Sequence, residues 1–357
     1  MAAQISARRQ SQIIGSILGT AVGDAIGLPY EGLSPRRAAK LWGLPNRHRF
    51  FFVFGMISDD TEHTCMVAQS LIASGGNLSK FQEQLAWRFR FWLLSLPAGI
   101  GFATLRAILR LWLGFSPARS GIFSAGNGPA MRAAILGVAI RDSKRLQEFV
   151  RVSSRITHTN PKAEYGAFAI ALAAQIACET EDVSGDEFLL KLQSCLPTEA
   201  AELISLIGDA VDSVKIGEST PEFAAKMGLT NGVSGYIYHT VPVAIHGWLS
   251  HQNDFAAAIT NIIECGGDTD STAAIVGSIV GAAIGKEGIP TEWLRRMLEW
   301  SRSVVWMERL GIELNSTIQA GIPGKPIKLS IISTLSRNIF FLSIVLCHGF
   351  RRLLPPY

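Results

Sequence analysis

An all-α fold is what this 357-residue sequence predicts, and three observations carry the prediction. Long segments repeat apolar residues at helical spacing, with strong helix formers between them. Alternating Val, Ile and Thr runs bounded by turn pairs, the mark of strands, are scarce. Proline and glycine gather at short breaks that divide the helical segments from one another. A composition of 48% hydrophobic and 17% charged residues suits a chain that buries a sizeable core, and it excludes disorder for most of the length.

In chain order, Gly15, Gly19, Gly23 and Gly27 stand four apart, and Gly277, Gly281 and Gly285 repeat that spacing near the other end. Each set gives its helix a side without side chains, where a second backbone can come close. The second run is too short to span a bilayer and both hold or abut aspartates, so the pattern predicts tightly packed helices in a soluble core. Pro- and Gly-rich loops are expected at 29–35, 43–58, 97–101, 114–128, 157–161 and 228–235. Helices are expected at 81–96, 161–178, 198–213, 235–249 and 292–309. Another follows Ser58 and ends at Gly75 and Gly76, and another begins near Pro129, a residue favoured in a first turn.

The stretch AGIPGKPIKLS (320–330) breaks the helical pattern and divides a body, residues 1–320, from a linker and apolar tail helix, residues 321–357. Arg337 interrupts the tail, and its longest uncharged stretch, 338–349, falls short of the roughly 20 residues a membrane span needs. An interfacial or partner-packing helix is expected instead, with membrane-surface contact through residues 329–350.

A net charge of +4, scattered along the chain, gives nucleic acid little to bind. Five cysteines (65, 178, 195, 265 and 347) form no C-x-x-C pair, which argues against a disulfide framework or a zinc knuckle and fits a reducing cytoplasm. The first residues lack the apolar core and cleavage site of a secretory signal. A cytoplasmic monomer is the expectation.

Two acidic clusters carry the chemistry. In GMISDDTEHTCMVAQSL, Ser58, Asp59 and Asp60 precede a helix; in CGGDTDSTAAIVG, Asp268, Asp270 and Ser271 do the same. One reading of the first is capping, with Asp59 and Glu62 forming a capping box and acids in the first turn complementing the helix dipole. Taken together, the clusters are sets of hard oxygen donors suited to Mg2+ or Mn2+, and four converging carboxylates would be balanced by two divalent cations. Without cations each pair at about 4 Å would repel by roughly 4 kcal/mol at an effective dielectric of 20. Asp24, within a helix of small residues, reads as structural and holds the loop that follows. Gly126, Asn127 and Gly128, before Pro129, form either a plain turn or an anion-binding helix entry, and Arg132 is either a phosphate partner or an ion-pair residue.

Six segments in this order resemble the ADP-ribosylglycohydrolase family, from about residue 11 to about residue 310. They are GSILGTAVGDAIGLPYEG (15–32), SDDTEHT (58–64), SAGNGPAMRAAILG (124–137), THTNPKAEYGA (157–167), GYIYHTVPVA (235–244) and CGGDTDSTAAIVGSIVGA (265–282). The resemblance implies a compact all-α fold with a binuclear Mg2+ or Mn2+ centre in a cleft. Its ligands would be Ser58, Asp59, Asp60, Asp268, Asp270 and Ser271, with serine where the family often has threonine. Thr269, between the aspartates, would point elsewhere if its loop were extended.

The same resemblance makes Glu31 a catalytic residue beside Asp60 and Asp268, and assigns Gly126, Asn127, Gly128, His158 and Tyr236 to ADP-ribose. The implied activity is metal-dependent hydrolysis of the glycosidic bond between ADP-ribose and a protein side chain or small acceptor. An inactive ADP-ribose-binding relative and another two-metal phosphoester hydrolase are the competing readings. Some arginine-specific relatives carry an acid just before the Ile-Gly of PAGIGFATLRA (97–107), where this chain has Gly99; the linked residue is therefore open.

Overall fold

The computed structural model describes residues 2–355, the side chains of residues 2, 3 and 5 excepted. Among them are seventeen α-helices and no sheet, only isolated bridges between loops. The first half runs α1 (Ala2–Gly27), α2 (Pro35–Trp42), α3 (Asp59–Ser74), α4 (Leu78–Leu94), α5 (Phe102–Trp112), α6 (Ala134–Ala139), α7 (Ser143–Arg155) and α8 (Pro161–Ala177). The second runs α9 (Gly185–Cys195), α10 (Ala201–Lys215), α11 (Thr220–Lys226), α12 (Ile237–Ser250), α13 (Phe255–Glu264), α14 (Thr269–Ile284), α15 (Thr291–Arg295), α16 (Val304–Ala320) and α17 (Ile331–Arg352).

The two glycine stripes face each other. A Cβ added at Gly19 would lie 2.0 Å from the Gly277 carbonyl oxygen, and one at Gly15 2.0 Å from that of Gly281. Gly23 and Gly27 meet the carbonyls of Ala273 and Thr269 in the same way. The pairing descends α14 as it climbs α1, so the helices are antiparallel. Their contact brings the end of α1, with Asp24 and the Glu31 loop beyond it, to the start of α14, where Asp268 and Asp270 lie. The stretch Ser6–Tyr30 is apolar enough to cross a membrane, yet residues 12–30 of it are buried and it serves as the central helix of the core.

Most expected helices stand within a few residues of their predicted bounds. The segment 292–309 does not: α15 ends at Arg295 and α16 begins at Val304. Between them Leu298 donates its N–H to the Gly55 carbonyl at 2.7 Å, and Glu299 and Arg302 turn inward to form buried ion pairs. Those tertiary bonds outweigh the helical pattern of the segment.

The tail helix α17 folds back over the body. Phe341 and Ile344 join Leu28, Phe50 and Met56 in a small apolar cluster, and Asn338 donates to the Ser95 carbonyl at 2.7 Å. Its outer side, including Ile332, Ile339, Leu346 and Phe350, is exposed.

Candidate active site

The two acid-rich helix mouths converge. Ser58 caps α3, accepting the Asp60 N–H at 3.4 Å, and its hydroxyl lies 3.1 Å from Asp60 Oδ2. From the other cluster, Ser271 Oγ donates to the same Asp60 oxygen at 3.3 Å. Capping therefore falls to Ser58 rather than Asp59. Glu62 makes no capping box, because it is drawn inward to accept from Arg302 Nη1 at 2.5 Å and from Trp92 Nε1 at 2.5 Å.

Loops lock the second mouth in place. Gly266 and Gly267 both take positive φ, +67° and +81°, which lets the chain turn sharply before α14. Gly267 exchanges backbone bonds with the Glu31 loop, donating to the Leu33 carbonyl (2.8 Å) and accepting from Gly32 (2.7 Å). Asp268 donates its N–H to Val233 at 2.7 Å and accepts from Asn127 Nδ2 at 2.6 Å. Gly235 presses so closely that a Cβ there would sit 3.2 Å from Asp268 Oδ2. Thr269 does face away, donating to the Gly27 carbonyl at 2.9 Å; the cause is the first turn of α14, not an extended loop.

Asp24 is fully buried and holds the 58–61 mouth, not the loop that follows it. Its Oδ2 accepts from Ser58 N (2.8 Å), Thr61 N (3.2 Å) and Thr61 Oγ1 (2.5 Å). Burial raises its carboxyl from 3.8 to about 7, with these donors opposing the shift. Asp59, Asp60 and Asp270 are raised well above the ordinary range, first by burial and then by the neighbouring carboxylates. Asp268 is raised by burial and held back by the Asn127 amide. Glu31 is open to solvent at the rim yet ringed by protein; that enclosure, then the Asp268 charge, raises its carboxyl, while Arg352 at the end of α17 opposes the shift. Arg352 also donates to the Pro29 carbonyl at 3.2 Å. Nothing in the sequence pointed to a tail residue here.

The donor set fits divalent cations. Asp60 Oδ1 is buried and accepts from no protein donor, a costly state for a carboxylate oxygen unless a cation faces it. Asp60, Asp270, Ser58 and Ser271 are buried, Asp59 and Asp268 half-buried, and all offer hard oxygens. Among the described residues, no three His, Cys, Asp or Glu side chains are drawn close enough to hold an ion by themselves.

Two of the other expected ligand residues flank the Gly126–Gly128 loop, His158 by its ring and Tyr236 by a backbone bridge to Gly126. His158 lies under the glycine loop: a Cβ at Gly126 would meet its Nε2 at 3.1 Å, and one at Gly128 its Cε1 at 3.0 Å. Burial, then the charge of Arg132, lowers His158 from 6.5 to about 3, so its ring is neutral. The Ala130 and Met131 amides both donate to the Asn127 carbonyl, and only a short 3-10 turn follows, so these two amides are not free for an anion. Arg132 is neither phosphate partner nor ion pair; it is buried over the Phe89 ring, donating to the Gly128 and Ser153 carbonyls and to Thr157. Tyr236 accepts from Lys162 at 3.0 Å and borders a groove of about 600 Å³ with Phe223, Tyr238 and His239. Gly99 takes a φ of +81°, strained for any acid in its place.

Fold and site together define an all-helical protein in which two acidic turns, at the N-termini of α3 and α14, meet. The chain belongs to the ADP-ribosylglycohydrolase family, which it matches over residues 5–321. A protein of Archaeoglobus fulgidus described only as uncharacterized is 34% identical, over 78% of this chain and 88% of its own. The ADP-ribosylhydrolase ARH3 of Gallus gallus is 28% identical, with coverage of 78% and 87%. The ADP-ribosyl-dinitrogen reductase glycohydrolase of Rhodospirillum rubrum is 27% identical, with coverage of 80% and 89%. A solved structure titled ADP-ribosylglycohydrolase-related protein complex superposes with a TM-score of 0.62 at 24% identity, over 87% of this chain and 99% of that one; it supports the shared fold.

Proposed function

We propose that this protein hydrolyses the glycosidic bond joining ADP-ribose to a protein side chain or small acceptor, at a centre of two Mg2+ or Mn2+ ions held by Ser58, Asp59, Asp60, Asp268, Asp270 and Ser271. The observation that carries the reading is the meeting of the two acidic mouths, with Asp60 Oδ1 buried and lacking a protein donor. Bound there, the cations would lower the pKa of a water and orient the ribose hydroxyls. Asn127 aims the Asp268 carboxylate by donating to it and opposes the upward shift that burial imposes. Glu31, at the rim with its carboxyl raised, would accept a proton from the attacking water or pass one to the leaving group. Neutral His158 would line the ADP-ribose site beneath the Gly126–Gly128 turn, and Tyr236 would border it. The bond broken passes through an oxocarbenium-like state, as in other glycosidic hydrolyses.

One named relative, of Pseudomonas putida, is an ADP-ribosylarginine hydrolase. At Gly99 this chain offers no carboxylate to an arginine guanidinium. Serine-linked and small-molecule ADP-ribose therefore belong in the assay beside arginine-linked substrate. Asp60→Ala and Asp268→Ala are expected to lose at least roughly 100-fold in turnover on whichever substrate the wild type cleaves, because removing a ligand exceeds the loss from removing a group that orients one. Unchanged turnover in either variant would refute the ligand assignment. We further propose a cytoplasmic setting, which five cysteines without a C-x-x-C pair support.

A further inference from the structure

Ile57 is the residue before Ser58, and both of its backbone groups are taken by one buried ion pair. Its N–H donates to Glu299 Oε1 at 3.0 Å, and its carbonyl accepts from Arg337 Nη2. Arg337 Nε donates to both Glu299 oxygens, at 3.1 and 3.0 Å, and Nη2 adds a further bond. The two side chains are 3% and 1% exposed. On the other side of the same mouth, Asp24 holds Ser58 N and Thr61. The Ser58–Asp60 turn is thus clamped at both ends.

Half of the second clamp comes from outside the family match, which ends at residue 321, because Arg337 lies on α17. Asn338 bonded to Ser95, Phe341 packed on Phe50 at 5.0 Å, and the Arg337 guanidinium 4.4 Å from the Phe341 ring fix its position. Stability alone is a weak reason for such a pair, since well-packed apolar residues commonly replace a buried ion pair at no loss. An apolar pair cannot bond the Ile57 N–H and carbonyl.

We propose that Arg337, supplied by the tail helix, is a positioning residue that together with Glu299 sets the ligand turn Ser58–Asp60 for cation binding. The inference rests on the two-metal reading above. Its test uses the full chain with Glu299 and Arg337 both changed to Met, Mn2+ affinity measured by titration calorimetry and by the EPR signal of free Mn2+, and melting followed by circular dichroism. The double variant is expected to melt near the wild type while its Mn2+ affinity falls roughly 10- to 100-fold, the loss typical of groups that orient metal ligands. Ile339→Gln, on the exposed side of the same helix, is expected to change neither. Should the double variant not fold, Arg337→Lys carries the same test, since it keeps a charge for Glu299 but loses the forked donor that also reaches Ile57. Mn2+ affinity equal to wild type in the folded variant would overturn the inference and leave the two-metal reading standing. Absence of saturable Mn2+ binding by the wild type would overturn both.

Discussion

At the scale of single residues, the roles divide by what each side chain can reach. Asp60 receives both serine hydroxyls, Asp268 receives the Asn127 amide, and Glu31 stands exposed at the rim, within reach of the Asp268 charge and with Arg352 opposing its upward shift. That exposure predicts a split between proton transfer and cation binding. Glu31→Gln is expected to lower kcat by roughly 10²- to 10⁴-fold, the span of a positioned proton-transfer group, with Mn2+ affinity nearly unchanged. A parallel loss of Mn2+ binding would instead make Glu31 a ligand. The sequence exposed the paired aspartates because two acids beside a hydroxyl at a helix mouth are chemically conspicuous. It hid Arg337 and Arg352, whose only local signal was an arginine within or beside an apolar run.

At the scale of elements, the packing of α1 against α14 positions the site, since it sets Asp24 beside one mouth and delivers the other. The approach is backbone to backbone, so a neighbour cannot rotate away from an added methyl. Gly19→Ala is expected to destabilise the fold by about 3 kcal/mol, the upper end for overpacking, because its Cβ would meet the Gly277 carbonyl at 2.0 Å. Urea denaturation measures this, and a cost below about 1 kcal/mol would show that the helices can part cheaply. The four-residue glycine spacing made this contact foreseeable, though not which stripe met which. The 292–309 segment failed as a single helix because Glu299 and Arg302 pair with Arg337 and Glu62, partners distant in the chain that no local periodicity encodes.

At the scale of the molecule, the crowding of acids makes stability depend on pH and on cations together. In the cation-free fold, Asp24 is raised from 3.8 to about 7, and Asp59, Asp60 and Asp270 are raised well above their ordinary value. Between the unfolded and folded values the native chain holds more protons than the unfolded one, so these groups favour the fold less as pH rises through that window. Cations take the ionised carboxylates and displace protons, so their binding strengthens over the same window. The rise in Tm on adding Mn2+ is therefore expected to be larger at pH 8 than at pH 5.5; an equal or smaller rise at pH 8 would count against a carboxylate centre. By itself the sequence determined the helical class, the glycine contact surfaces and the two acid-bearing turns, because these follow from local pattern and residue chemistry. Only the tertiary structure decided that the turns converge on Asp60, that Asp24 and the Glu299–Arg337 pair hold one of them from both ends, and that the tail lies against the body, because each depends on bonds between residues far apart in the chain.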